Sequence, residues 1–148
     1  MADTLITGTT LIEDKRSLRG NIWSIPGSEF KTSDPDVDDI RINIATGSIV
    51  SNATDLEFIV SAILPQGVTI TAVLVYGNAA AISGITWSLK RVDRLGAVTT
   101  MATAAVGTED TSISNPIVDN SSYSYIITSG QNEFDTNDEI FGARIIFE

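Results

Sequence analysis

A chain of 148 residues has the length of one domain with a core of its own. Nineteen acidic against nine basic residues give a net charge of −10, which argues against nonspecific nucleic-acid binding and against docking on an anionic membrane, since both need a basic footprint. With no Cys and no His, disulfides, zinc–thiolate centres, thiol nucleophiles and imidazole catalysis are excluded, and only carboxylates, Lys, Tyr, Ser and Thr remain for chemistry.

Polar residues and turn formers dominate residues 1–40, with isolated apolar points that include Leu5, Leu11, Ile22, Trp23, Ile25 and Phe30. Lys15, Arg16 and Arg19 form the one dense basic spot, and no Lys or Arg occurs from Ile42 through Leu89. This shift predicts an N-terminal arm or irregular layer over 1–40 and a sandwich domain over 41–148. An apolar-dotted arm with no core must pack on its own sandwich or on a neighbour. Trp and Arg are enriched at interfaces, so Lys15, Arg16, Arg19, Trp23 and Phe30 are the candidate partner-binding residues. The opening Met1-Ala2-Asp3-Thr4 lacks the basic and apolar regions of a signal peptide, and no apolar run approaches the roughly 20 residues that span a bilayer.

The arm ends in Asp34-Pro35-Asp36-Val37-Asp38-Asp39. Alternate aspartates can converge on Ca²⁺, so Asp34, Asp36 and Asp38 form a weak candidate site. The EF-hand template fails, because position six is Asp39 rather than Gly and position twelve is Ala45 rather than Glu. The plainer reading is a solvated acidic turn, and no metal or other cofactor is expected.

Beyond the arm the apolar residues recur with a period of two. Leu56, Phe58, Val60, Ala62 and Leu64 share one face. Ile70, Ala72, Leu74 and Tyr76 alternate with Thr69, Thr71, Val73 and Val75. Ile85, Trp87 and Leu89 form a third series, Tyr123, Tyr125 and Ile127 a fourth, and Phe141, Ala143, Ile145 and Phe147 close the chain. Pro65-Gln66-Gly67, Asp93-Arg94-Leu95-Gly96, Asn115-Pro116 and Ser129-Gly130 punctuate them as turns. Helix is weakly supported, at the short Ala-rich stretches 79–81 and 101–105. Short alternating runs between turns predict an all-β fold: a single antiparallel β-sandwich of jelly-roll type with an extended N-terminal arm.

The carboxylate pairs Glu109-Asp110, Asp138-Glu139 and Glu133/Asp135 lie in polar loops and read as solvated charge rather than as a glycosidase pair. Lys90, Arg91 and Arg94, with Trp87 and Tyr76, admit a sugar-stacking site; a core Trp and a charged edge strand are the plainer reading.

Residues 68–147 contain the phrases Ile70-Thr-Ala-Val-Leu-Val-Tyr-Gly77, Ile85-Thr-Trp-Ser-Leu-Lys-Arg-Val-Asp93, Val118-Asp-Asn-Ser-Ser-Tyr-Ser-Tyr125 and Asp138-Glu-Ile-Phe-Gly-Ala-Arg-Ile145. In these the chain resembles a small jelly-roll-like module of phage and bacterial virion and surface proteins, of the capsid decoration or cement type. The resemblance implies no catalytic residue. With the small size and the arm, it leads to the expectation of a non-enzymatic capsid cement protein. Such a protein would be made in a host cytoplasm and bound to the exterior of the major capsid lattice as a homo-oligomer such as a trimer, without nucleic-acid or membrane partners. Two alternatives stand beside it: a carbohydrate-binding or adhesive module of a tail fibre or cell surface, and a self-assembling filament subunit whose arm adds a strand to the next copy.

Overall fold

The computed structural model of the chain describes residues 21–148. Ten strands and one short helix follow in order: β1 (Asn21–Pro26), a 3-10 turn at Gly27–Glu29, β2 (Lys31–Thr32), β3 (Ile40–Asn43), β4 (Ser48–Ser51), β5 (Phe58–Ser61), β6 (Ile70–Gly77), α1 (Ala79–Gly84), β7 (Thr86–Asp93), β8 (Val98–Ala105), β9 (Tyr123–Ser129) and β10 (Glu139–Phe147). They form two antiparallel sheets, and the architecture is the expected jelly-roll β-sandwich. In the first sheet β10 is central: β6 runs along one side, β1 and β4 share the other, and β3 lies outside β4. The second sheet has the order β2-β5-β9-β7-β8.

Alternation produces the core. Phe58, Val60, Ala62 and Leu64 point inward, as do Ile85, Trp87 and Leu89, and Tyr125 and Ile127. Trp87 is fully buried, and its indole N–H donates to the carbonyls of Ala105 (3.1 Å) and Thr108 (3.2 Å). A buried indole needs such a partner for its one polar atom. Phe30, Phe58 and Phe134 stack edge to face, with centroids 5.1 and 5.6 Å apart.

Two series depart from simple alternation. In β6 the buried residues are Ile70, Ala72, Val73 and Val75, while Leu74 and Tyr76 are half-buried. The register with β10 slips between Ile146 and Phe147, so Ile70 and Val73 both turn inward. A second slip lies between Ile140 and Gly142, where Phe141 is the extra residue; Ile140 takes the inward position and Phe141 is left half-buried. Bulges of this kind re-aim side chains and increase the local twist.

The helix at Ala79–Gly84 was the minority expectation. Asn78 explains it, because its side-chain carbonyl accepts from the Ala81 N–H at 3.0 Å and caps the first turn. The second Ala-rich stretch, 101–105, belongs to β8. Among the described residues no helix is long and apolar enough to cross a membrane.

Residues 21–32, placed in the arm by their composition, are built into both sheets. β1 pairs with β10 over six residues, from Asn21 opposite Phe147 to Pro26 opposite Gly142. Gly27 then lies against the β10 and β4 backbones, where a Cβ would collide with the Ile140 carbonyl. The chain crosses to the second sheet, and Lys31 and Thr32 pair with Ile59 and Phe58.

Candidate functional site

The crossing from β1 to β2 shapes the flank of the sandwich. Trp23 and Ile25 stand opposite Ile145 and Ala143, on the core-facing side of β1. Among the described residues no strand lies outside β1 in that sheet; the two side chains pack on the core at its margin and are half-buried. Across from them, β2 covers only the Phe58–Ile59 end of β5. Between the two edges lies an open cleft of about 460 Å³.

Trp23, Ile25, Pro26, Glu29 and Lys31 line this cleft from the segment that crosses between the sheets, and Ile59, Val60, Ser61 and Ile63 line it from β5 and the residues after it. Ile63 is 81 % exposed, an apolar surface that no part of the described chain covers. Among the described residues the one ion pair is Arg144–Glu109, at 3.0 Å. Glu29 and Lys31 therefore bring one acceptor-only and one donor-only group to the cleft without an ionic partner there.

A second cleft, of about 300 Å³, is lined by Val92, Asp93, Arg94, Asn120, Ser122, Tyr123 and Ser124. The Arg91 guanidinium lies 4.2 Å from the Tyr123 ring centroid. Most of this cleft's polar side chains are hydrogen-bonded within the chain. Arg94 Nε donates to the Ser121 carbonyl at 2.8 Å, Asn120 Nδ2 donates to Leu64 O at 2.8 Å, and Asp93 Oδ1 accepts from Leu95 and Ala97 N–H. Hydroxyl hydrogen bonds from Ser121 and Ser122 lower the neighbouring Asp119 carboxyl to about 2. These bonds fix a turn and a hairpin tip. The cleft beside Trp23 has the freer donors and acceptors, and we take it as the candidate site.

The structure distributes the sequence-predicted residues unevenly. Trp23 lines the cleft. Phe30, expected to meet a partner, is 3 % exposed and sits inside the core against Phe58, so it is not available to one. Lys15, Arg16 and Arg19 lie outside the described residues. Asp34, Asp36 and Asp38 form an exposed turn in which Asp38 accepts from the Asp34 N–H at 3.1 Å, and among the described residues no three acidic side chains are grouped to hold a metal ion. Trp87, imagined at a sugar site, is fully buried. Sequence reasoning missed Glu29, Lys31, Ser61 and Ile63. The signal for the last two was the outward set of 59, 61 and 63, which carries two Ile where a solvated strand face carries polar residues.

No protein-family model matches the chain, and no curated protein matches it in sequence. Solved structures do match. The C-terminal CBM6 of LamC, a marine laminarinase from Zobellia galactanivorans, is 14 % identical, with a TM-score of 0.51 over 85 % of this chain and 99 % of that one. CBM86, a low-affinity xylan-binding module from Roseburia intestinalis, gives 0.47 at 14 % identity over 87 % and 96 %. The family 32 CBM of NanJ from C. perfringens, solved with galactose, gives 0.43 at 14 % identity over 86 % and 100 %. The likeness to the LamC module is one of fold. It corrects the expectation of a capsid cement protein: the sandwich is one shared with the LamC carbohydrate-binding module, and the described end of the supposed lattice-binding arm is part of that sandwich.

Proposed function

We propose that this chain is a non-catalytic carbohydrate-binding module and that the cleft beside Trp23 is its sugar site. The observation that carries the reading is a half-buried indole at an open cleft, beside Glu29 and Lys31, which have no ion-pair partner among the described residues, on a fold shared with the LamC module. A pyranose is amphipathic: its ring faces present C–H groups and its rim presents hydroxyls. Apolar walls with a few placed polar groups suit such a ligand. Trp23, Ile25, Ile59 and Ile63 supply apolar contact. Glu29 accepts from sugar hydroxyls, and Lys31 and Ser61 donate to their oxygens. Charged partners make these hydrogen bonds roughly twice as strong as neutral ones.

The cleft favours binding over cleavage. Glycoside hydrolysis uses two carboxyl groups flanking the bond, and among the described residues Glu29 is the one carboxylate that lines the cleft. The net charge of −10 repels polyanionic glycans and points to neutral sugars.

Isothermal titration of the protein and of a Trp23→Ala variant with neutral β-linked gluco-, xylo- and galacto-oligosaccharides tests this reading. At least one series binds the wild-type chain, and Trp23→Ala weakens it tenfold or more while the variant stays folded. Equal affinity in the two proteins, or no binding in any series, contradicts it.

A further inference from the structure

The Trp23 cleft opens onto the outer face of the second sheet. Ser61 lines the cleft, and on β5 it belongs to the exposed set that alternates with the buried Phe58 and Val60. The strand register carries that side of β5 across the sheet. Ser61 stands beside Ile126 on β9, Ile126 beside Lys90 on β7, and Lys90 beside Thr100 on β8. Residues opposite one another in register share a face, so these four form one row that starts at the cleft. A row of Ser124, Val92 and Val98 runs along one side of it. Along the other side a row runs from Ile59, which also lines the cleft, through Thr128 and Ser88 to Thr103.

The chemistry of this face departs from that of the chain as a whole. The sequence holds nineteen acidic residues, and none stands in the three rows. Lys90 is their one charged residue, and it has no ion-pair partner among the described residues. The rest are Ile, Val, Ser and Thr, with Ile59, Val98, Thr100 and Ser124 exposed. Methyl groups interleaved with hydroxyls, one donor-only cation and no carboxylate suit a neutral amphipathic ligand. Size argues against a second copy of the chain as the occupant. Strands about 4.8 Å apart and rows two residues apart give the face roughly 200 Å², far below the roughly 800 Å² per partner of a stable protein interface. The spacing of about 4.8 Å between strands is close to the length of one β-linked pyranose unit, so a sugar chain laid across the strands sets one unit over each.

We propose that the outer face of the second sheet continues the Trp23 cleft, and that the ligand is a neutral β-linked oligosaccharide running from the cleft across β5, β9 and β7 to β8. Ile126 and Val92 meet the faces of its rings, and Lys90 and Thr100 donate to its oxygens. The proposal rests on the carbohydrate reading of the Trp23 cleft and specifies the ligand as a chain rather than a single sugar.

A length series tests it. Glucose, xylose and galactose and their β-linked oligomers of two, three and six units are titrated into the wild-type chain and into Lys90→Ala and Ile126→Thr variants. In the wild-type chain the affinity rises tenfold or more from one unit to the longest oligomer. Each variant loses most of that rise and keeps the wild-type affinity for the single sugar, which a misfolded protein would not. An amide NMR titration of the wild-type chain needs no variant: the amides of Ile126, Lys90 and Thr100 shift with the six-unit chain and stay in place with the single sugar. Affinity independent of length, variants that both keep the full rise, or those three amides unmoved by the longest chain overturns the track and leaves the Trp23 site standing. A dimer in sedimentation velocity that Lys90→Ala dissociates gives the face to a second copy and overturns the track as well. Silence at every length in every series overturns both the track and the Trp23 site.

Discussion

Trp23 and Trp87 carry the same side chain in opposite circumstances. Trp87 belongs to β7, an inner strand of the second sheet, is fully buried and has its N–H satisfied twice. Truncating it to Ala leaves a cavity and strands two carbonyls, and such changes cost about 3–5 kcal/mol; urea unfolding of Trp87→Ala should show a loss of that size. Two adjacent acidic residues offer a test with opposite signs. Glu139 accepts from Ser48 Oγ, from Asn43 Nδ2 at 3.1 Å and from Thr46 Oγ1 at 3.2 Å, and these bonds, led by Ser48, hold its carboxyl below the usual range. Its contribution is present above its unfolded pKa and is lost as the pH falls through its lower folded value. Burial pushes Asp138 the other way, upward. The folded chain then holds that proton where the unfolded chain has lost it, so stability from this group is gained as the pH falls through its raised folded value. Glu139→Gln should lower stability at pH 7 by about 1 kcal/mol. Asp138→Asn keeps an acceptor for the Asp135 N–H and should hold or raise stability there. Denaturation curves between pH 3 and 7 read both, and a stabilised Glu139→Gln or a clearly destabilised Asp138→Asn would contradict these assignments.

Among the elements, legibility followed burial. The series at 56–64 and 85–89 were readable because each has one face wholly in the core, and that at 123–127 because Tyr125 and Ile127 are in it, so the apolar residues had to alternate. The slips in β6 and β10 were not readable, because a bulge is defined against the partner strand and the pattern of one strand does not contain it. β1 was missed for a related reason: its partner lies more than a hundred residues away, and its two inward residues, Trp23 and Ile25, are too few to show a period. The turn after β1 depends on Gly27, whose missing Cβ lets the chain lie on the Ile140 carbonyl. Gly27→Ala forces the turn off β10 and β4 and should destabilise by about 3 kcal/mol. Because that turn bears Glu29, the variant should lose sugar affinity as well; a variant of wild-type stability would show that the turn can relax.

At the scale of the molecule, the candidate site is a product of the crossing between sheets. One continuous segment, 23–31, carries its aromatic and charged residues, and the outward face of β5 with the following Ile63 completes it. The sequence showed Trp23 as an interface-type residue but not what it would face, since Glu29, Lys31, Ser61 and Ile63 become neighbours only when both edges are in place. An acidic molecule reading a neutral ligand through contact and hydrogen bonds, without counterion release, should bind with little dependence on salt. Affinity for the best oligosaccharide should change less than about twofold between 50 and 500 mM NaCl; a steep fall would show that long-range charge attraction holds the ligand.

The most direct test of the site is a two-dimensional amide and indole NMR spectrum of the ¹⁵N-labelled chain, recorded while the best-binding oligosaccharide is titrated in. The chain contains two indole N–H groups, one half-buried beside the cleft and one sealed in the core. The account predicts that the Trp23 indole and the amides of Ile25, Lys31, Ile59 and Ser61 shift while the Trp87 indole stays in place. Shifts confined to the cleft at Asp93, Asn120 and Tyr123, with Trp23 unmoved, would contradict it.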